Sequence, residues 1–186
     1  MLEDISAHVL DIAQNSVAAE AGRIDVTVSK AEGFVGFAIK DDGKGMDAER
    51  LSKVMSPFTT SRTTRRVGMG LPFLKQSAEN CGGKFEISSA PGKGTLVSAS
   101  FALDNIDTPP TGDMAGAFVT LMLDAPGVRW VFRYNAQDSF ELDSKELAEA
   151  IDGLESLSIP EVAIGLKTMI ENGIAQAENI LNNYKE

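Results

Sequence analysis

Apolar residues recur at Leu2, Ile5, Val9, Ala13 and Val17, a three-to-four-residue period that predicts a helix from Leu2 to about Ala19. Gly22 follows, where a glycine is expected to end a helix. Ile24, Val26 and Val28 then alternate with Asp25, Thr27 and Ser29, and after the turn Ala31-Glu32-Gly33 the run from Phe34 to Lys40 reads as a second strand. A short helix is expected from Asp47 to Met55, then a Ser/Thr/Arg-rich loop from Ser56 to Arg66 without apolar period. Leu71 to Asn80 is helical again and is stopped by Gly82-Gly83. Phe85 to Ser89 and Thr95 to Phe101 alternate on either side of Ala90-Pro91-Gly92-Lys93-Gly94, a second hairpin. Helices covering one face of a mixed sheet predict an α/β (α+β) two-layer sandwich over residues 1–103.

Residues 104–112, with Pro109-Pro110, read as a linker. Beyond them, residues 113–186 are expected to form an α+β extension. A helix is predicted from about Gly112 to Asp124, a hairpin around Trp130 to Phe140, and helices from Ser144 to Leu154 and from Ile159 to Tyr184, with Ser144 and Ser158 as caps. Trp130, Phe132 and Tyr134 alternate as one buried strand face. Val162, Leu166, Met169, Ile170 and Ile174 form a helical stripe packed on its own unit.

The distribution of charge changes this picture more than its sum of −10. Residues 1–93 carry 12 acidic and 12 basic side chains, whereas residues 94–186 carry 15 acidic and 5 basic ones. An acidic second half repels nucleic acid and anionic lipid, so neither is an expected partner. Arg62, Arg65 and Arg66 instead suggest a local anion site. The longest apolar runs, such as Ala117 to Leu123, fall far short of the roughly 20 residues that span a bilayer. Cys81 is the only cysteine, which excludes an internal disulfide and disfavours a zinc cluster. A cytoplasmic protein is the expectation.

Four segments carry candidate chemistry. On the first helix His8, Asp11 and Asn15 are spaced to share a face, and Asn15 and Asp11 offer oxygen ligands suited to Mg²⁺. Asp41-Asp42-Gly43-Lys44-Gly45-Met46 follows a strand directly; its glycines allow close approach of a flat ligand, and an ionised aspartate accepts from an exocyclic amine. Gly68-Met69-Gly70-Leu71 opens a helix whose free amides can face phosphate, and the loop before it offers Thr59, Thr60, Ser61 and Arg62. Gly92-Lys93-Gly94-Thr95 places a hydroxyl at a strand start, beside Asp41 if the strands are neighbours. Taken singly, each is also explained as a solvated helix face, an acidic turn, a basic loop or a hairpin turn.

The order of these segments resembles the N, G1, F, G2 and G3 boxes of the GHKL ATPases, the superfamily of gyrase, the mismatch-repair ATPase and histidine kinase catalytic domains. The carriers are Asp-Ile-Ala-Gln-Asn, Asp-Asp-Gly-Lys-Gly-Met, Ser-Pro-Phe-Thr-Thr-Ser-Arg, Gly-Met-Gly-Leu-Pro and Gly-Lys-Gly-Thr, over about residues 1 to 103. The resemblance implies the Bergerat fold, ATP and Mg²⁺ as ligands, and bacterial signal transduction as the setting. It implies Mg²⁺ on Asn15, the adenine amine on Asp41, and Gly43, Gly45 and Met46 around the base. Gly68, Met69, Gly70 and Leu71 would lie at the phosphates. Phe58 would anchor a lid that includes Thr59, Thr60, Ser61 and Arg62, and Thr95 would support the adenine site through water.

Two departures matter. The chain starts at the N box, with no room for a dimerising domain bearing a phosphoacceptor histidine, and His8 is expected to orient a neighbour or water. Gyrase and the mismatch-repair enzymes carry Glu four residues before their Asn as general base, where this chain has Asp11, one methylene shorter. The expected protein is an ATP- and Mg²⁺-binding, histidine-kinase-like regulator that acts on a separate protein as a kinase or slow ATPase switch. The acidic extension would supply partner specificity, and a homodimer is compatible with the sequence. An anti-sigma-factor-like serine kinase that sequesters a transcription factor is the alternative. The Thr59-Thr60-Ser61 run and the long tail fit that alternative less well. An interaction domain without nucleotide is the third reading, and the intact motif set argues against it.

Overall fold

A computed structural model of the chain describes residues 4–56, 70–150 and 159–179. The elements are α1 (Ile5–Ala18), β1 (Arg23–Ala31), β2 (Phe34–Asp41), α2 (Ala48–Val54), α3 (Gly70–Asn80), β3 (Phe85–Ser89), β4 (Thr95–Ala102), α4 (Met114–Asp124), β5 (Arg129–Asn135), β6 (Ser139–Asp143), α5 (Ser144–Ala150) and α6 (Pro160–Ala177). The six strands form one sheet in the order β3-β4-β2-β1-β5-β6, antiparallel except where β1 runs parallel to β5. Helices pack on one face of it, the expected two-layer α+β sandwich.

The alternation read from the sequence decides which face is covered. Ile24, Val26 and Val28 of β1 stand in register with Asp41, Ile39 and Phe37 of β2, and Val26 also pairs with Phe132 of β5. These side chains point one way into a single core with Ile5, Val9 and Ile12 of α1, Leu74 and Ala78 of α3 and Phe118 of α4. The opposite face holds Arg23–Asp25, Arg133–Asp25, Arg133–Glu141 and Arg129–Asp143 ion pairs at 2.8, 3.1, 2.7 and 2.6 Å. The arginines of these pairs are reached by solvent, and pairs of this kind contribute little, about 0 to 1 kcal/mol each, so the stability resides in the apolar layer.

The strands of the 113–186 extension continue the sheet of the first half. Trp130, Phe132 and Tyr134 are fully buried, as their spacing predicts, and Phe118 of α4 packs edge-on to Trp130 and tilted against Phe132. At the far end Glu178 accepts from the Tyr134 hydroxyl and from Lys30 Nζ, the latter at 3.1 Å, tying the end of α6 to β5 and β1. The 104–112 linker also reaches the first half, because the Ile5 and Ser6 amides donate to the Pro110 and Thr111 carbonyls at 2.9 and 3.0 Å. These first-turn amides have no partner within the helix. Asp4 supplies the side-chain cap by accepting from the Ala7 amide at 2.8 Å.

Three local expectations are revised. Glu20, at φ 62°, takes the left-handed position after α1, and the Gly22 amide instead donates to Asp42 Oδ1 at 2.8 Å. Ser144 is buried at the start of α5, and its hydroxyl accepts from the Trp130 amide at 2.8 Å instead of capping the helix. His8 is only 4% exposed and stacks on Phe101 with ring centroids 6.4 Å apart, so it faces the core instead of orienting a neighbour or water at the site.

Burial lowers the His8 pKa below its ordinary 6.5, overcoming the nearby Asp4 carboxylate, which raises it. The unfolded state therefore takes up the proton first as the pH drops. The stability contributed by neutral His8 is complete above the unfolded value near 6.5 and is lost as the pH falls from there through the lowered folded value. Urea denaturation between pH 7.5 and 5 should show this loss in the natural chain, and His8→Leu should flatten that part of the profile.

Candidate functional site

β2 ends on Asp41, whose side chain is 5% exposed. A carboxylate buried this far needs donors, and three separate segments supply them. Ser16 Oγ on α1 donates to Asp41 Oδ2 at 2.6 Å, while the amides of Gly43 and Thr95 donate to Oδ1 at 2.9 and 3.1 Å. β2 and β4 are neighbours, which is what brings Thr95 to Asp41. The contact runs through the Thr95 amide, and the Thr95 hydroxyl pairs with Ser89 Oγ at 2.9 Å. Of the four lone-pair sites of this carboxylate, one on Oδ2 is available to an N–H of a ligand.

The loop from Asp42 to Met46 is fixed at nearly every residue. Asp42 Oδ1 accepts from the Gly22 and Arg23 amides, both at 2.8 Å, a structural clamp on the start of β1. The Lys44 amide donates to the Ala19 carbonyl at 3.0 Å and the Lys44 carbonyl accepts from the Gly92 amide at 2.8 Å. The Met46 amide donates to Ser89 Oγ at 2.9 Å. Gly43 and Gly45 are buried between these neighbours, and a Cβ on Gly45 would meet the Ala90 carbonyl oxygen at 1.9 Å. The loop is thus pressed between the end of α1 and the β3–β4 hairpin.

α1 brings Asp11 against the start of α3 and, further along, carries Asn15 and sets Ser16 on Asp41. Asn15 is exposed and Asp11 half-buried. The Asp11 carboxylate lies against Gly70, since a Cβ built there would meet Oδ2 at 1.8 Å. Its partial burial raises the Asp11 pKa above the usual carboxylate value. Leu71 packs its side chain on the core, so only its backbone can face a ligand. Phe58, Thr59, Thr60, Ser61, Arg62, Gly68 and Met69 lie outside the described residues. Among the described residues no three His, Cys, Asp or Glu side chains cluster as a metal site, and no helix is long and apolar enough to cross a membrane.

Ser16 and Ser89 were not singled out in the sequence. Ser16 follows Asn15 directly, and a serine inside a helix was the available signal, because serine is a weak helix former that often has a bonding task. Ser89, at the end of a strand, gave no such signal.

Residues 2–105 match the model of the histidine kinase-, DNA gyrase B- and HSP90-like ATPases. A putative NtrY-like sensor histidine kinase of Rickettsia conorii is 25% identical over 107 residues, 57% of this chain and 18% of that protein. Sensor histidine kinase ZraS of Klebsiella oxytoca is 36% identical over 78 residues, 41% of this chain and 17% of the relative. The chain thus spans under a fifth of the length of these relatives. The structure of the Aquifex aeolicus MutL ATPase domain complexed with ADP superposes with a TM-score of 0.56 at 15% identity, covering 84% of this chain and 70% of that one, a likeness of fold.

Gly94 and Gly92 separate the two demands on this site. Both have positive φ, 74° and 70°, but a Cβ on Gly94 would meet the Asp41 carbonyl oxygen at 1.9 Å, whereas one on Gly92 has nothing within 4 Å. Gly92→Ala should cost about 1 kcal/mol in urea unfolding, from backbone conformation alone. Gly94→Ala should cost more, by about 1 to 3 kcal/mol, because the backbone around Asp41 must move. Equal losses would contradict the packing described.

Proposed function

This chain belongs to the histidine kinase-, DNA gyrase B- and HSP90-like ATPase family, and on that premise we propose that it binds ATP and ADP with Mg²⁺ and acts on a separate protein partner as a kinase or slow ATPase switch. The observation that carries the reading is Asp41, buried, held by Ser16, Gly43 and Thr95, and placed at the end of a strand where its remaining acceptor site can take the adenine amine. Gly43, Gly45 and Met46 form the wall beside it.

The donor set fits the ion as well. Asn15, exposed on α1 one residue before Ser16, would hold Mg²⁺ through its amide oxygen, an ion that commonly takes one or two protein ligands and fills its shell with phosphate and water. Bound there, Mg²⁺ supplies positive charge against the phosphate oxygens. The first turn of α3, at Gly70, lies against Asp11 of α1, and the first-turn amides and positive dipole end of a helix suit phosphate. Gly68, Met69 and the hydroxyl and guanidinium groups from Thr59 to Arg62 belong to the same reading through the motifs that they form.

Asp11 is the candidate for orienting water at the terminal phosphate. Its carboxylate rests against Gly70, and one methylene fewer than glutamate shortens its reach into the site. Slow turnover follows from that geometry, which suits a protein whose nucleotide state is read by a partner. The relatives named above are sensor histidine kinases, which favours phosphoryl transfer or its regulation over sequestration of a sigma factor. The acidic extension from residue 113 is the surface that we assign to the partner, in a cytoplasmic setting.

Calorimetric titration with ADP and Mg²⁺ tests the first half. Micromolar binding is expected in the natural chain, and Asp41→Asn, which puts an amide where an acceptor is needed, should weaken it at least about 30-fold. No binding in the natural chain would overturn the reading. For the second half, ATP turnover should stay below about 0.1 per second, against a typical enzyme value near 10 per second. Asp11→Asn should lower it at least tenfold further while ADP affinity stays within about threefold. A turnover typical of dedicated ATPases would remove the slow-switch proposal.

A further inference from the structure

A buried serine within a helix ordinarily returns its hydroxyl proton to the carbonyl one turn back. Ser16 instead sends it 25 residues along the chain, to Asp41 Oδ2 at 2.6 Å. The other donors to this carboxylate, the Gly43 and Thr95 amides, are fixed by the backbone and both meet Oδ1. Ser16 is therefore the one member of the cluster that can exchange the role of donor for that of acceptor, since a hydroxyl has one proton, two lone pairs and a free rotor.

That choice decides what a ligand meets at Asp41. With the Ser16 proton committed to Oδ2, the groups presented to a base are lone pairs only, one on Oδ2 and those on Ser16 Oγ. An exocyclic amine pairs with them, whereas a carbonyl oxygen in the same position meets acceptors alone and is left unpaired in a buried setting. Resting on the nucleotide reading above, we infer that Ser16 is the positioning residue that makes this site select 6-amino over 6-oxo purines, by committing its own proton to Asp41 and so holding the acceptor-only carboxylate in place. Without the hydroxyl, Oδ2 loses the contact from α1 that fixes the carboxylate plane, and the oxygen can turn away from the base.

The test is calorimetric titration of ADP and IDP, each with Mg²⁺, against the natural chain, Ser16→Ala and Ser16→Thr, with thermal melts establishing that each variant is folded. The natural chain should prefer ADP by at least about 100-fold. In Ser16→Ala, ADP affinity should fall about tenfold while IDP affinity changes less than about twofold, so the preference narrows. Ser16→Thr, which keeps the hydroxyl, should return the preference to within about threefold of the natural value. Equal losses for ADP and IDP in Ser16→Ala would assign Ser16 a merely structural part and overturn the inference, as would the same preference in the alanine and threonine variants. If the natural chain binds neither nucleotide, the nucleotide reading falls, and this inference with it.

Discussion

A carboxylate nearly closed off from water has to be supplied with hydrogen bonds, and the supply to Asp41 ties the first half of the protein together. Its donors come from α1, from the loop after β2 and from the first residue of β4. Each of these segments is held elsewhere by unrelated contacts: α1 by its apolar face, the loop by Ala19 and Ser89, and β4 by its register with β2 and β3. A shift of any one of them leaves a buried charge short of a partner, which costs several times more than the hydrogen bond contributes when made. Asp41 is thus the point at which the packing of three elements is checked against one another.

The second consequence concerns β1. Without β5, β1 would be an edge strand with unpaired amides and carbonyls on one side. The parallel pairing from Arg23↔Arg129 to Ser29↔Asn135 covers that edge, and Phe118 of α4 packs on the Trp130 and Phe132 rings of β5. The extension therefore completes the sheet on which Asp41 sits, two strands away from β5. It is joined to the first half through backbone pairing and through core side chains alike.

How much of this was legible in the sequence follows from which signals are local. The alternation of Ile24, Val26 and Val28 and the helical stripe of α1 are set by residues a few positions apart, and they gave the elements and the covered face. The order of motifs singled out Asp41 and its two glycines, which the fold brings together in one buried turn. The parallel pairing of β1 with β5 joins residues more than 100 positions apart, and periodicity does not say which strand neighbours which. His8 illustrates a different limit: its spacing fits a polar face with Asp11 and Asn15, but the side chain is buried, where Phe101 offers a ring to stack on. Glu20 in the left-handed region shows that the residue following a helix is set by where the chain must go next, here toward the Asp42 clamp.

The extension also makes direct contact with the helix that carries Asp11, Asn15 and Ser16. α1 carries Asp11, Asn15 and Ser16 along its length, and its first two amides end on the Pro110 and Thr111 carbonyls, just before α4 begins. α4 in turn shares the core with α1, and Lys167 of α6 bonds to Asp113, the cap of α4, at 2.6 Å. α4 and α6 are thereby joined by direct contacts to α1, the helix that also sets Asp11 against Gly70 and Ser16 against Asp41.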